Sequence, residues 1–335
     1  MFLRRMFLHR PWIALTLLAG LLLVFPPIQR PAAAEEPLVD QVQAADAATT
    51  ADATEAVAPY LRVVRDQRER PLRLETSIRT FERTADASGS NGAAQTVRVD
   101  LVSVIHIGER EYYEQLNEQF DDYDVVLYEL VAPEGTRVPS GGGERNLHPV
   151  SLLQGGMQNM LGLDSQLACI DYQKPHLVHA DMTPEEMNES IAKRGEDPLS
   201  MFFRMFGYSL AQQARNPRAA NDADLLMALL DRQNRTWRMR QLMADQFESV
   251  GGGLPIFDGP EGSTLVTERN KVALEALAAQ IAAGKRRIGI FYGAGHMPDF
   301  QRRLTGEEWG FEPRRDKWLF AWELRAPDDR PGDGE

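Results

Sequence analysis

Two histidines of this chain stand in short stretches of sequence that have the same order of residue types. His106 follows the apolar run of SVIHIG and precedes Gly108, and His296 ends IGIFYGAGH, after Gly293 and Gly295. The chain contains only six histidines. Glycine has no Cβ, so we expect the backbone to turn sharply at both places and to let a ligand approach it closely. The two stretches therefore predict two imidazoles presented at the ends of strands.

Carboxylates follow two further apolar stretches. Glu129 closes DVVLYE, whose apolar residues predict a strand that is buried on both faces. A carboxylate is seldom buried without a partner, so we expect Glu129 to pair with a cation. His179 and Asp181 belong to the shorter stretch LVHAD, and they are further candidates for the same site.

The residue types at these strand ends are compatible with two kinds of chemistry. In open α/β sheets, ligands bind beyond the carboxyl ends of the strands, so His106, Glu129 and His296 are expected to meet there. Two imidazoles and one carboxylate can bind a metal ion as a facial triad with open positions. The same groups can instead supply a base, an acid and an orienting group without a metal.

The stretch TERNKVALEAL adds a cationic residue. Thr267 is the predicted N-cap of a helix, which places Arg269 and Asn270 in the first turn. The helix dipole disfavours an arginine at that position. We therefore expect Arg269 to pair with Glu129 or with a substrate oxyanion, the alternative being an arginine exposed to solvent.

The elements that must position these residues are strands and helices in alternation. LRLETSIRTFER and TVRVDLVSVIHIG predict a hairpin, and a helix with Tyr112, Leu116 and Phe120 on one face follows. The strands DVVLYEL and HLVHAD come next, then a helical block over 183–249, a helix over 264–283 and the strand RIGIFYG, while FEPRRDKWLFAWEL predicts a final hairpin. This order predicts an α/β fold with a mixed central sheet flanked by helices, and with a long helical insertion between the strands that carry the site.

The two ends of the chain differ in composition from the predicted domain, residues 59–325. Residues 1–34 have a basic start, a short apolar run and small residues at the end, which predicts a secretory signal peptide or an N-terminal anchor. Residues 35–58 are rich in Ala, Asp, Thr and Glu and predict a disordered acidic spacer, and residues 326–335 predict a disordered tail.

The composition of residues 1–34 predicts the location of the protein, and the net charge indicates which class of partner it does not bind. We expect export across the membrane, to the periplasm or the extracellular space, with membrane contact only through the N-terminal segment. The net charge is −12 at pH 7, and such a surface repels nucleic acid.

Together these stretches resemble the TraB/TIKI/GumN family, which is related to the erythromycin esterase-like and ChaN-like proteins. That family is marked by two G-x-x-H motifs, a glutamate that ends the strand after the first motif, and an Arg-Asn pair on a helix before the second. In this chain the second motif is Gly293 to His296, the glutamate is Glu129, and the pair is Arg269 and Asn270. The first motif keeps His106 but has Ser103 where glycine is expected.

The resemblance implies a hydrolase that acts on a peptide. Animal members of the family behave as metal-dependent proteases that use manganese or cobalt, and enterococcal members shut down a peptide pheromone. The resemblance thus implies His106, Glu129 and His296 as ligands of a divalent metal, with zinc left open as a third choice, and Glu129, Arg269 and Asn270 as catalytic residues. Esterase-like relatives use a catalytic histidine without metal. The alternatives are therefore a metal-free hydrolase of a small ester and a non-catalytic protein that binds a peptide.

Overall fold

The computed structural model describes residues 59–85, 95–139, 158–196, 227–228, 230–249 and 262–329. The predicted leader, 1–34, and the predicted spacer, 35–58, lie outside these ranges and stay predictions. Of the predicted tail, residues 326–329 are described, and Pro327–Asp329 forms a 3-10 turn. Across the described ranges, no helix has both the length and the apolar character needed to cross a membrane.

A mixed sheet of seven strands forms the centre of the described part. In chain order the strands are β1 (Leu61–Arg65), β2 (Pro71–Ala85), β3 (Gln95–Val104), β4 (Ile107–Gly108), β5 (Val125–Tyr128), β6 (Asp164–Ser165), β7 (Leu177–His179), β8 (Arg287–Gly293) and β9 (Glu312–Glu323). The sheet has the order β1-β2-β3-β8-β5-β7, with β9 also paired to β2, while β4 and β6 form a separate pair. The predicted α/β fold with a mixed central sheet is confirmed.

The antiparallel half of the sheet is organised around the long strand β2. Residues 73–76 pair with both β1 and β9, and residues 78–82 pair with both β3 and β9. A strand has only two edges, so β1 and β3 share one edge of β2 and β9 takes the other. The predicted hairpin of β2 and β3 is confirmed, whereas the predicted final hairpin is wrong, because FEPRRDKWLFAWEL contributes one strand that pairs with β2.

The parallel half contains the strands that lead to the predicted site residues. β3, β8, β5 and β7 run parallel in that spatial order. Val104 lies opposite Gly293, and Tyr128 lies opposite both Phe291 and His179. Since the four strands point the same way, their carboxyl ends lie at one edge of the sheet.

Six α-helices lie wholly within the described residues, and they cover the sheet and connect its strands. They are α1 (Arg110–Phe120), α2 (Gln166–Cys169), α3 (Pro184–Arg194), α4 (Arg235–Ser249), α5 (Arg269–Ala282) and α6 (Met297–Thr305). The predicted helical insertion lies between β7 and β8, with α3 near its start and α4 further along. The part of that insertion from 197 to 226 lies outside the described residues.

Large side chains are buried on both faces of the sheet. One face packs against α1, whose Tyr112, Leu116 and Phe120 are fully buried, as the sequence predicted. The other face packs against α5 and α6, through residues that include Leu277 and Phe300. Burial of each such side chain contributes about 1.5–3 kcal/mol. This core fixes the helices relative to the strand ends.

Candidate active site

The carboxyl ends of the four parallel strands bring together most of the residues that the sequence singled out. β3 leads to His106, β5 to Glu129, β7 to Asp181, and β8 to the 3-10 turn Ala294–His296. The first residue of α5, Arg269, reaches the same place and contacts Glu129 and Asp181.

The Glu129 carboxylate lies at the centre of this cluster. Its Oε1 accepts a hydrogen bond from Arg269 Nη2 at 2.7 Å and lies 3.5 Å from His296 Nε2. Its Oε2 accepts a hydrogen bond from the backbone N–H of Gly293 at 2.6 Å. Burial alone raises the pKa of the Glu129 carboxyl, but the Arg269 guanidinium outweighs burial and holds that pKa well below its usual range. Glu129 is therefore ionised, and its cationic partner is Arg269.

Arg269 directs all five of its N–H groups at protein atoms. Nε and Nη2 donate to the two oxygens of Asp181, at 2.9 and 2.6 Å, and Nη2 also donates to Glu129. Nη1 lies 3.4 Å from the Leu265 carbonyl oxygen and 3.4 Å from His296 Nε2. Burial lowers the pKa of Arg269, but Glu129 and Asp181 outweigh it and raise the pKa. Of the expected partners, the structure shows Glu129, and it leaves no N–H of Arg269 directed at a substrate oxyanion.

A π-helical turn, Thr264–Glu268, precedes Arg269 and continues directly into α5. Ser263 caps this turn by accepting a hydrogen bond from the Val266 N–H at 3.2 Å. Thr267 accepts from the Ser263 N–H at 3.0 Å, so its prediction as the helix N-cap is wrong. The helical backbone begins before Arg269, so the two buried carboxylates, rather than the helix dipole, account for the arginine. Single π-helical turns occur frequently at functional sites.

His296 is buried, and its ring is oriented by a carboxamide. Its Nδ1 lies 2.6 Å from Asn270 Oδ1. Asn270 Nδ2 donates to the His296 carbonyl oxygen at 3.1 Å and to Asp299 Oδ2 at 2.9 Å. Asn270 thus contacts His296 directly, and the predicted Arg-Asn pair brings one residue to Glu129 and the other to His296.

His106 is only partly buried, and a carboxamide orients it in a similar way. Its Nδ1 lies 2.9 Å from Gln166 Oε1, and Gln166 Nε2 donates to the Tyr172 hydroxyl at 2.8 Å. The other ring nitrogen, Nε2, makes no hydrogen bond to the described residues. A Cβ at position 293 would lie 3.8 Å from this Nε2 and 3.2 Å from Glu129 Oε2. His106 and Glu129 therefore face the same small space beside Gly293.

Two of the three glycines in the predicted motifs, Gly293 and Gly108, lie against neighbouring side chains. Gly293 has φ −54° and ψ 144°, which many residues adopt, so its missing side chain matters more than its backbone freedom. A Cβ at Gly108 would lie 3.0 Å from Tyr112 Cδ1, so Gly108 makes room for a core aromatic residue and not for a ligand. Gly295 lies inside the 3-10 turn Ala294–His296, next to His296.

Two other sequence candidates lie apart from the cluster. The ring of His179 contacts the Leu130 carbonyl oxygen through Nε2 and packs 5.7 Å from the Tyr128 ring. Ser103 is fully buried in β3, and its Oγ has no hydrogen-bond partner among the described residues. Its carbonyl oxygen accepts from the Tyr112 hydroxyl at 3.3 Å. The local fold explains His179, but it does not explain the buried hydroxyl of Ser103.

The three predicted metal ligands have suitable atom types, but their present arrangement does not fit a metal ion. In favour, the Nδ1 atoms of His106 and His296 are both held by amide oxygens, which is how metal-binding imidazoles are usually oriented. Against it, Glu129 Oε1 and His296 Nε2 both contact the Arg269 guanidinium. Within the described ranges, no group of three His, Cys, Asp or Glu side chains is arranged to hold a metal. A metal at this position stays a prediction.

Sequence reasoning missed three polar residues that contact the cluster from outside. Gln166 and Tyr172 support His106, and Asp299 supports Asn270. Asp299 stands three residues after His296 in GAGHMPDF, so its position could have been noticed. Gln166 is 60 residues from His106 and belongs to no motif, so only the tertiary structure reveals it.

No family model, no curated protein and no solved structure matches this chain.

Proposed function

We propose that this chain is an exported hydrolase of the TraB/TIKI/GumN type that cleaves a peptide or a small ester. The observation that carries the proposal is the position of His106. Its Nδ1 is held by Gln166, while its Nε2 faces the same space as the ionised carboxylate of Glu129. The motif resemblance supports hydrolysis, and the signal-like composition of residues 1–34 supports export.

In this proposal, the neutral imidazole of His106 acts as the general base. Its Nε2 takes a proton from a water molecule, and the hydroxide attacks the acyl carbon of the substrate. The C–N or C–O bond then breaks, and His106 returns the proton to the leaving nitrogen or oxygen. The products are a carboxylic acid and an amine or alcohol. Proton transfer by a positioned side chain contributes about 100- to 10,000-fold to the rate.

The buried ions keep Glu129 charged beside that base. Arg269 holds the Glu129 carboxylate ionised, and Asp181 holds Arg269 through two hydrogen bonds. The negative carboxylate faces the positive charge that develops on the His106 ring when water loses its proton. Asn270 fixes the ring of His296, whose Nε2 completes the contacts of Arg269 and Glu129.

A metal-dependent form of the same hydrolase is the second candidate, and the orientation of both imidazoles favours it. His106, Glu129 and His296 would hold the ion, and manganese or cobalt is the choice that the resemblance implies. A bound divalent metal lowers the pKa of its water and polarises a carbonyl group. The same residues would orient the substrate, while Arg269 would have to give up its contacts with Glu129 and His296.

The test is hydrolysis of a peptide library and an ester library by the purified exported chain. Each reaction is run after chelation and again with manganese, cobalt or zinc. His106→Gln should lower turnover by about 100-fold or more, because the amide does not accept a proton at neutral pH. His179→Gln is the matched control, since the His179 ring contacts the Leu130 carbonyl oxygen and the Tyr128 ring, and its replacement should leave turnover intact.

The outcomes distinguish a metal-free hydrolase, a metal-dependent hydrolase and a peptide-binding protein. Turnover that survives chelation and is lost in His106→Gln supports the metal-free form. Turnover that returns only with a metal selects the metal-dependent form. If no substrate is cleaved but a peptide binds, the protein is a binding protein and the hydrolase proposal is wrong.

A further inference from the structure

The hydrogen bonds beyond His296 determine which of its ring nitrogens carries the proton. Asp299 lies in the first turn of α6 and is only 4% exposed. Its Oδ2 accepts from Asn270 Nδ2 at 2.9 Å and from Arg303 Nε at 2.7 Å, and its Oδ1 accepts from Arg302 Nη2 at 3.2 Å. A carboxylate beside two guanidinium groups acts as an acceptor only.

This acceptor fixes the orientation of the Asn270 amide. The NH₂ group of Asn270 must face Asp299 and the His296 carbonyl oxygen, so its Oδ1 must face His296 Nδ1. An amide oxygen accepts and never donates, so Nδ1 of His296 must carry the proton. Nε2 is then left with a lone pair, which accepts from Arg269 Nη1.

We infer that Asp299 is a positioning residue that, through Asn270, holds neutral His296 in the Nδ1–H tautomer. In free histidine the Nε2–H tautomer is the more populated one, so the protein must stabilise the other form. In the Nε2–H form, His296 and Arg269 would point N–H groups at each other across 3.4 Å, and Nε2–H would be left with the more distant Glu129 Oε1, 3.5 Å away.

The residues that hydrogen-bond to His106, directly and through Gln166, can be compared with those around His296. Beyond Gln166 lies the hydroxyl of Tyr172, which can either donate or accept a hydrogen bond. A rotated Gln166 amide would therefore be satisfied equally well, with its NH₂ group facing His106. The tautomer of His106 is not fixed by its neighbours, whereas the tautomer of His296 is.

The experiment is ¹⁵N NMR of the imidazoles in the full chain, at a pH where both rings are neutral. The wild type should show His296 in the Nδ1–H form only, and a wild-type Nε2–H signal would overturn the inference without any variant. In Asp299→Ala the Nε2–H form should appear and reach about half of the population, since one of two acceptors for the Asn270 amide is lost. An unchanged tautomer in this variant would also overturn it.

Two further variants separate the hydrogen bond from a general disturbance. Arg302→Ala removes a partner of the other Asp299 oxygen and should leave the His296 signal as in the wild type. Asp299→Asn keeps an acceptor oxygen and should restore the Nδ1–H form. If the Nε2–H tautomer of His296 appeared in either variant, the hydrogen bond from Asn270 to Asp299 Oδ2 would not be what determines the tautomer.

The consequence for turnover rests on the proposed function. With the substrate found in the hydrolysis assay, Asp299→Ala should lower kcat by about 3- to 10-fold and leave KM unchanged, because orientation and not substrate binding is altered. A change in KM with an unchanged kcat would contradict the predicted effect of Asp299 on turnover. If the chain hydrolyses nothing, the NMR result still decides the tautomer, so the two failures are distinguishable.

Discussion

The two ends of the parallel strands both bury carboxylates beside arginines, but they do so in different ways. At the amino end, Asp100 is fully buried and accepts hydrogen bonds from Arg98, two residues away, and from the Tyr123 hydroxyl. At the carboxyl end, one guanidinium is shared by Glu129 and Asp181, which come from different strands.

The two ends differ in the net charge of the buried groups and in whether a polar atom is left without a hydrogen-bond partner. The Asp100 pair is neutral. With neutral imidazoles, the carboxyl-end cluster carries one excess negative charge, and His106 Nε2 has no partner among the described residues. A buried ion pair by itself is weak grounds for function. Unbalanced charge together with an imidazole nitrogen that has no partner among the described residues distinguishes the carboxyl end as the candidate site.

The largest expected effect comes from removing the shared guanidinium. Arg269→Leu leaves Glu129 and Asp181 buried without a cation and should lower the free energy of unfolding by about 3–5 kcal/mol. Arg98→Leu is the matched variant at the amino end. It should cost only about 1–3 kcal/mol, because Asp100 keeps the Tyr123 hydroxyl as a donor. Urea unfolding of both variants measures the difference, and equal losses would erase the contrast between the two ends.

A smaller effect is expected from two glycines of the same strand, β8. A Cβ at Gly293 would lie 3.2 Å from Glu129 Oε2, and a Cβ at Gly289 would lie 3.2 Å from the Tyr123 ring. Each alanine variant should lose about 1–3 kcal/mol of stability through overpacking. Only Gly293→Ala should also lower the turnover per folded molecule, since it displaces the carboxylate beside His106. Both variants are measured by chemical unfolding and in the hydrolysis assay. An equal loss of activity in Gly289→Ala would contradict the prediction.

The smallest effect concerns pH and the amino end. Asp124 accepts hydrogen bonds from the backbone N–H groups of Arg286 and Arg287, and these contacts lower the pKa of its carboxyl. A lowered pKa in the folded state stabilises the protein above the unfolded value, which is about 3.9, and this contribution is lost as the pH falls through the folded value.

Asp124→Asn should therefore be less stable than the wild type at pH 6, by no more than about 1 kcal/mol for a partly exposed group. The gap between the two proteins should close as the pH falls below 4. Urea midpoints of both proteins, measured from pH 6 to pH 2.5, give this difference in stability. A difference that grew as the pH fell would contradict the predicted direction of the pH dependence.

Part of this organisation could be predicted because it is local. Apolar runs such as VVLY mark strands, and the four-residue spacing of Tyr112, Leu116 and Phe120 marks one buried face of a helix. Glu129 could be singled out because a carboxylate at the end of a buried strand requires a partner.

Other features could not be predicted, because they depend on contacts between distant residues. The segment FEPRRDKWLFAWEL alternates like a hairpin, but β2 offers an unpaired edge along most of its length, and pairing there outweighs a local turn. Gly108 resembles a ligand-binding glycine in sequence, yet it faces Tyr112. The helix start was misplaced because the π-helical turn has no sequence rule comparable to an N-cap.

The sequence by itself determined which strands are buried, which residues end them, and that His106, Glu129, Arg269 and His296 are the groups to consider. Only the tertiary structure decided how these groups divide their contacts. The spatial order β3-β8-β5-β7 places β8 between the strands of His106 and Glu129, which brings Gly293 against both side chains. Hydrogen bonds are short-range and directional, so whether Arg269 faces a carboxylate or a substrate depends on positions that no single stretch of sequence contains.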